Sequence, residues 1–187
     1  MRLFVAVDPS DEVRAALGRT IESGRKLAPD AKWVRPESIH LTLAFLGNVD
    51  DALAPSVAAA LGAVAPRHGP IDLLARGVGS FGGGKRPRVL WVGLEGAVAP
   101  LQALQRDVEE ALGPIGYQPE KRDFKPHLTL ARAREMRGDM ALGVARDALA
   151  SSVPGPFTVS ELVLYQSQLS PKGAEYLALA RLPMIAD

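Results

Sequence analysis

The sequence predicts an α+β protein of two pseudo-symmetric lobes, each an antiparallel sheet with helices packed on its outer face, enclosing a central groove. Three observations carry this prediction. The pentapeptide His-Leu-Thr-Leu-Ala occurs twice, at residues 40–44 and 127–131. The copies lie 87 residues apart in a chain of 187, close to half its length. The order of elements around the copies is also similar: a helix, the motif strand, a second helix, then two strands. The chain is expected to be a single bilobal domain, residues 1–187, with approximate halves 1–94 and 95–187 that are not independent.

The elements follow from hydrophobic spacing and turn residues. Arg2 to Val7 reads as a strand. Asp8-Pro9 then opens a helix, because proline is tolerated in a first turn. Val13, Ala16, Leu17, Thr20, Ile21 and Leu27 form its apolar face, which ends near Pro29. Trp33 and Val34 lead into the first motif strand, which stops at Gly47-Asn48. Side chains alternate along a strand. Leu41, Leu43 and Phe45 are therefore expected on a core face, with His40, Thr42 and Ala44 opposite. In the second copy Leu128 and Leu130 face the core, with His127, Thr129 and Ala131 opposite. The two alanines would leave room for a ligand.

A second helix is expected over residues 52–64, through Leu53, Val57, Ala60, Leu61 and Val64. The loop from Pro66 to Pro70 holds His68, expected to be exposed and without function. Ile71 to Gly79 and Arg88 to Leu94 read as strands around a glycine-rich loop. Gly77 to Gly82 spells G-x-G-x-x-G, but a dinucleotide site needs a helix to begin at those glycines. Here a further strand follows. Phe81 at the loop tip is a packing residue, a flap anchor or a platform on which a terminal base stacks. A helix from Pro100 to Leu112 closes at Gly113-Pro114. A polar, basic connection over 115–126 leads to the second motif strand. A helix over 139–150 and strands over 157–165 and 175–182 complete the chain.

Composition narrows the function. Apolar residues make up 47%, ordinary for a globular protein. There are no cysteines, which excludes disulfides, thiolate metal sites and a cysteine nucleophile and fits a cytoplasmic location. The first residues lack the shape of a signal peptide, and no apolar run nears membrane-spanning length. No membrane association is expected. Net charge is +1, from 22 basic and 21 acidic residues, low for a protein that grips long nucleic acid. Basic residues cluster at Lys85, Arg86 and Arg88, at Lys121, Arg122 and Lys125, and at Arg132, Arg134 and Arg137. They are either a solvated face or a local field for a small or terminal phosphate. A monomer is expected.

The repeated motif carries the chemistry. An imidazole can give or take a proton near neutral pH, and a hydroxyl two residues on can hold a neighbouring oxygen. A single copy reads as a core histidine beside a strand-forming threonine. Two copies in matching halves would place one histidine on each side of one groove. A phosphodiester suits such a groove. Displacement at phosphorus needs a base on the attacking oxygen and an acid on the leaving oxygen, roughly in line. Each proton transfer is typically worth about 100- to 10,000-fold. Thr42 and Thr129 would hold the non-bridging oxygens, where oriented donors stabilise growing charge. Neither motif has metal-ligand spacing, and no cofactor or metal is expected.

The paired His-x-Thr-x motifs resemble those of the two-histidine phosphoesterase superfamily, and within it the RNA 2′,3′-cyclic phosphodiesterases, historically called 2′-5′ RNA ligases. Arg2 to Val7, Trp33 to Glu37, Lys85 to Gly93 and Ser167 to Tyr176 are also similar to that family. The resemblance implies metal-independent hydrolysis of RNA 2′,3′-cyclic phosphate ends to 2′-phosphate ends, with 2′-5′ ligation in reverse. It implies His40 as proton donor, His127 as proton acceptor and Arg132 as a phosphate contact. Strict alternation from His127 sets Arg132 on the wrong face, unless the strand ends or bulges after Ala131 or the side chain reaches round. Two alternatives remain. One is a related phosphodiesterase for small cyclic nucleotides, ADP-ribose cyclic phosphate or 2′-5′ oligoadenylate. The other is a non-catalytic module that binds RNA ends or nucleotides.

Overall fold

The computed structural model describes all 187 residues. Its regular elements are β1 (Arg2–Val7), α1 (Asp11–Leu27), β2 (Lys32–Trp33), β3 (Leu41–Asn48), α2 (Ala54–Val64), β4 (Ile71–Phe81), β5 (Val89–Gly96), α3 (Val98–Leu112), β6 (His127–Arg132), α4 (Met140–Leu149), β7 (Gly155–Val159), β8 (Glu161–Ser170) and β9 (Gly173–Pro183). Local chemistry sets the helix ends. Ser10 Oγ accepts the Val13 N–H at 3.3 Å, and Asp11 and Glu12 in the first turn oppose Arg25 and Lys26 in the last. Asp139 caps α4, accepting the Ala141 N–H at 2.8 Å.

The strands form two antiparallel sheets, β3-β1-β8-β9 (sheet A) and β2-β6-β5-β4-β7 (sheet B). Helices α2 and α3 pack together against β3 and β9, and α1 and α4 pack together against β4 and β7. The helix-covered faces meet in one core of 38 buried residues, which includes Leu41, Leu43, Leu128 and Leu130. The other faces of the two sheets line the central groove.

Neither sheet is built from one half of the chain. The unit β1-α1-β3-α2-β4 is followed by a second unit, β5-α3-β6-α4-β8. A shift of 87 residues, the spacing of the two histidines, lays α1 on α3, β3 on β6 and β4 close to β8. Each unit keeps its first two strands together and gives its last strand to the other sheet. Thus β4 pairs with β5, and β8 pairs with β1.

Three expectations change. Trp33, expected to enter the first motif strand, lies in β2 and pairs with Ala131 on sheet B, apart from β3 on sheet A. The single strand expected over 157–165 is two strands, β7 on sheet B and β8 on sheet A. The chain crosses between sheets at Ser160, and no glycine or proline marks the corner. His68 is half-buried, not exposed. Its Nε2 lies 2.8 Å from Asp107 Oδ2 on α3, and its carbonyl accepts the Ala186 N–H at 3.2 Å. It ties the loop after α2 to α3 and to the final residues.

We propose that residues 1–187 are one cooperative unit, because the exchanged strands leave each half with unpaired sheet edges. Thermal unfolding followed by far-UV and near-UV circular dichroism should give one coincident transition. Fragments 1–94 and 95–187 should each lack near-UV signal; a native-like spectrum from either would contradict the proposal.

Candidate active site

Directly opposed residues of an antiparallel pair point to the same face. On sheet B, Gly93 opposes His127 and Trp91 opposes Thr129. The register then slips by one, so that Leu90 opposes Ala131 and Val89 opposes Arg132. Leu130 is the extra residue of a β-bulge. Leu130 and Ala131 are both fully buried, and exposed Arg132 joins Trp91 and Thr129 on the groove face. Sheet A repeats the device. Ala6 opposes Thr42, Val5 opposes Ala44 and Phe4 opposes Phe45, with Leu43 the extra residue.

Because strand period is two, one extra residue inverts everything that follows. Ala44 and Ala131 therefore belong to the core and leave no ligand space. Phe45, expected in the core, is 41% exposed on the groove face. Arg132 reaches the groove face that strict alternation denies it, through a bulge one residue earlier than Ala131.

His40 stands just before β3. Its Nδ1 lies 2.8 Å from the Ser38 carbonyl. A carbonyl only accepts, so Nδ1 carries the proton and Nε2 is left for the groove. Phe4 stacks on the imidazole at 4.6 Å and 29°, and Tyr176 meets it edge-on at 5.1 Å. His127 repeats the anchor, with Nδ1 at 2.6 Å from the Lys125 carbonyl. Phe81 meets its ring edge-on at 4.9 Å, and Trp91 lies 6.3 Å away. Trp91 crosses β4 at Gly79, where a Cβ would come within 2.3 Å of the indole. Both histidines are half-buried, Thr42 is exposed and Thr129 is half-buried.

The charges around the two rings differ. Behind His40 lies a polar cavity of about 200 Å³ bordered by Asp8, Arg14, Glu37, Tyr165, Tyr176 and Arg181. Tyr165 donates to Asp8 at 2.6 Å, and burial with that bond pushes the phenol up to about 12. Arg14 donates to the Ile39 carbonyl at 2.9 Å and sits 3.3 Å from Asp8. Burial lowers His40 below its ordinary 6.5, opposed by the Ser38 carbonyl and by Asp8, while Arg14 adds to the lowering. Burial also lowers His127, against the Lys125 carbonyl, and here Arg132 lowers it further. The Asp8–Arg14 ion pair thus accompanies His40, and a lone guanidinium, Arg132, accompanies His127. No three His, Asp or Glu side chains gather into a group able to hold a metal ion.

The site residues divide between the sheets. His40 and Thr42 belong to sheet A. His127, Thr129, Arg132 and Phe81 belong to sheet B. The sequence reading missed Phe4, Phe45, Trp91, Tyr165, Tyr176 and the Asp8–Arg14 pair. One signal was available: Phe4 and Trp91, the rings beside the two histidines, are themselves 87 residues apart.

Residues 4–170 match the model of the 2′-5′ RNA ligase superfamily. A Geobacillus stearothermophilus RNA 2′,3′-cyclic phosphodiesterase is 34% identical over 97% of this chain, which spans 57% of that relative's length. An Aeropyrum pernix protein of the same name is 36% identical over 79% of this chain and 83% of its own. A crystal structure from Thermus thermophilus superimposes over the full length of both chains, with a TM-score of 0.78 and 31% identity. Escherichia coli LigT complexed with 3′-AMP gives a TM-score of 0.76 at 25% identity, over 99% of this chain and 98% of its own. No helix of the chain is long and apolar enough to cross a membrane. With a family match over most of its length and the duplicated imidazole–hydroxyl pair on both sheets, the chain belongs to the 2′-5′ RNA ligase superfamily.

Proposed function

We propose that the groove opens 2′,3′-cyclic phosphate ends of RNA to 2′-phosphomonoester ends, without metal, with His40 as acid and His127 as base. One observation carries the reading. The same imidazole, held by the same Nδ1–carbonyl bond, stands beside a groove-facing threonine on each sheet. The relatives' name supplies the substrate class.

His127 Nε2 takes a proton from water as its oxygen attacks phosphorus. The bond to the 3′ oxygen breaks opposite, and that oxygen takes the proton from His40 Nε2. Thr42, Thr129 and Arg132 hold the non-bridging oxygens as charge grows on them. The charge asymmetry supports this division of labour. Burial lowers both histidines; at His40 the Asp8 carboxylate opposes that lowering and Arg14 adds to it, whereas the charge felt by His127 is that of Arg132 alone, which adds to the lowering. In-line displacement puts the nucleoside bearing the leaving oxygen on the His40 side. There Phe45 offers its terminal base a ring, with the Arg2 guanidinium 4.9 Å from the ring centre.

An oligonucleotide ending in 2′,3′-cyclic phosphate, incubated with the protein and EDTA, should yield a 2′-phosphate end. A 3′-phosphate end, or abolition by EDTA, would contradict the reading. His40→Ala and His127→Ala should each lower kcat by about 100- to 10,000-fold with the circular dichroism spectrum retained. Thr42→Ala or Thr129→Ala should cost about 100-fold. The pH profile of kcat/KM reports the free enzyme. Its rising limb follows loss of the proton from His127, and its falling limb follows loss from His40. Both groups lie below 6.5, so the bell should centre on the acid side of that value. Asp8→Asn removes a charge that holds the proton on His40, so it should move the falling limb to lower pH and leave the rising limb in place.

A further inference from the structure

Hydrolysis leaves one part of the groove without a partner. Phe81 and Trp91 lie 5.4 Å apart and form an aromatic shelf beside His127. Gly79 gives the shelf its floor by admitting the indole over β4. Arg132 stands on the same face, opposite Val89 and one pair beyond the bulge. In hydrolysis the oxygen that arrives on this side belongs to water, which has no base to stack. The nucleoside carrying the cyclic phosphate leaves through its 3′ oxygen, so it lies across the phosphorus on the His40 side. An aromatic surface beside the base histidine therefore fits the ring system of an attacker larger than water. A nucleoside attacking through its 5′ oxygen sets its own base about one sugar away from phosphorus, on this side.

We propose that Phe81 and Trp91 form the subsite for the nucleoside whose 5′-hydroxyl replaces water, the acceptor in 2′-5′ joining and the leaving group in 2′-5′ cleavage. The inference rests on His127 serving the attacking oxygen. The step balances without a further reactant. The 5′ O–H bond breaks and its proton passes to His127 as the O5′–P bond forms. The P–O3′ bond breaks, and O3′ takes a proton from His40. The product holds a 2′-5′ phosphodiester and a free 3′-hydroxyl. In reverse, the shelf holds the departing nucleoside. Stacking of one base is sequence-tolerant and worth roughly 5- to 150-fold.

The test uses the full chain and three substrates: an oligonucleotide with a 2′,3′-cyclic phosphate end, a 2′-5′-linked dinucleotide, and that dinucleotide with its 5′-linked sugar abasic. Phe81→Ala should lower kcat/KM for dinucleotide cleavage, relative to cyclic phosphate hydrolysis, by roughly 5- to 150-fold. His127 is the base in hydrolysis and the acid in dinucleotide cleavage, so the abasic dinucleotide separates the two causes: its cleavage keeps any disturbance of His127 and has no base to stack. Phe81→Tyr should restore the ratio. The abasic substrate should show the loss in the wild type and no further loss in Phe81→Ala. An unchanged ratio, or equal sensitivity of wild type and variant to the missing base, would overturn the proposal while hydrolysis continued. A wild type that leaves the cyclic phosphate intact would instead overturn the reading on which it rests.

Discussion

The exchange of strands between two copies of one unit is the constraint on which the groove depends. Each copy keeps the strand carrying its histidine beside its own first strand, β3 on β1 and β6 on β5. Each then sends its last strand across, so neither sheet is complete without the other copy. The helix-covered faces share one core, and the two groove faces are thereby held as parts of a single body. Within that frame, each imidazole is oriented by a backbone carbonyl two residues earlier. One such bond is worth about 1 kcal/mol, enough to favour the tautomer with a free Nε2 by roughly fivefold. Two histidines far apart in sequence thus reach the same state by the same local device.

The frame is symmetric and its decoration is not. The position just after the bulge holds Phe45 on sheet A and Arg132 on sheet B. A ring lies face-on to His40, whereas a ring lies edge-on to His127. Asp8 stands near the first histidine, while Glu95, its counterpart 87 residues on, pairs with Arg76 at the surface. Duplication supplies two equivalent proton carriers, and these differences give them unequal charge environments. In the proposed displacement one histidine gives a proton as the other takes one, and these neighbours surround the two with different charges.

Much of the fold was legible in the sequence, because the repeat and its spacing report the duplication directly. The four helices and the second motif strand follow from period and punctuation, with limits that move by two or three residues, whereas the first motif strand starts at Leu41 and leaves Trp33 to β2 on the other sheet. What stayed hidden depends on pairing across strands. The bulges at Leu43 and Leu130 leave no mark in the chain, yet they send Phe45 and Arg132 to the groove and both alanines to the core. The corner at Ser160 carries no glycine or proline, so β7 and β8 read as one strand. His68 gains its partner, Asp107, from α3, 39 residues away. The aromatic neighbours of the histidines come from β1, β4, β5, β8 and β9, elements that local spacing cannot bring together.

Stereochemistry at phosphorus is the most direct probe of two imidazoles acting from opposite sides in one displacement. A single diastereomer of an RNA end bearing 2′,3′-cyclic phosphorothioate can be opened by the protein in ¹⁸O-labelled water and the configuration of the thiophosphate read. A single in-line step predicts inversion. Retention would require two displacements through a covalent phosphoryl-enzyme and would contradict the account.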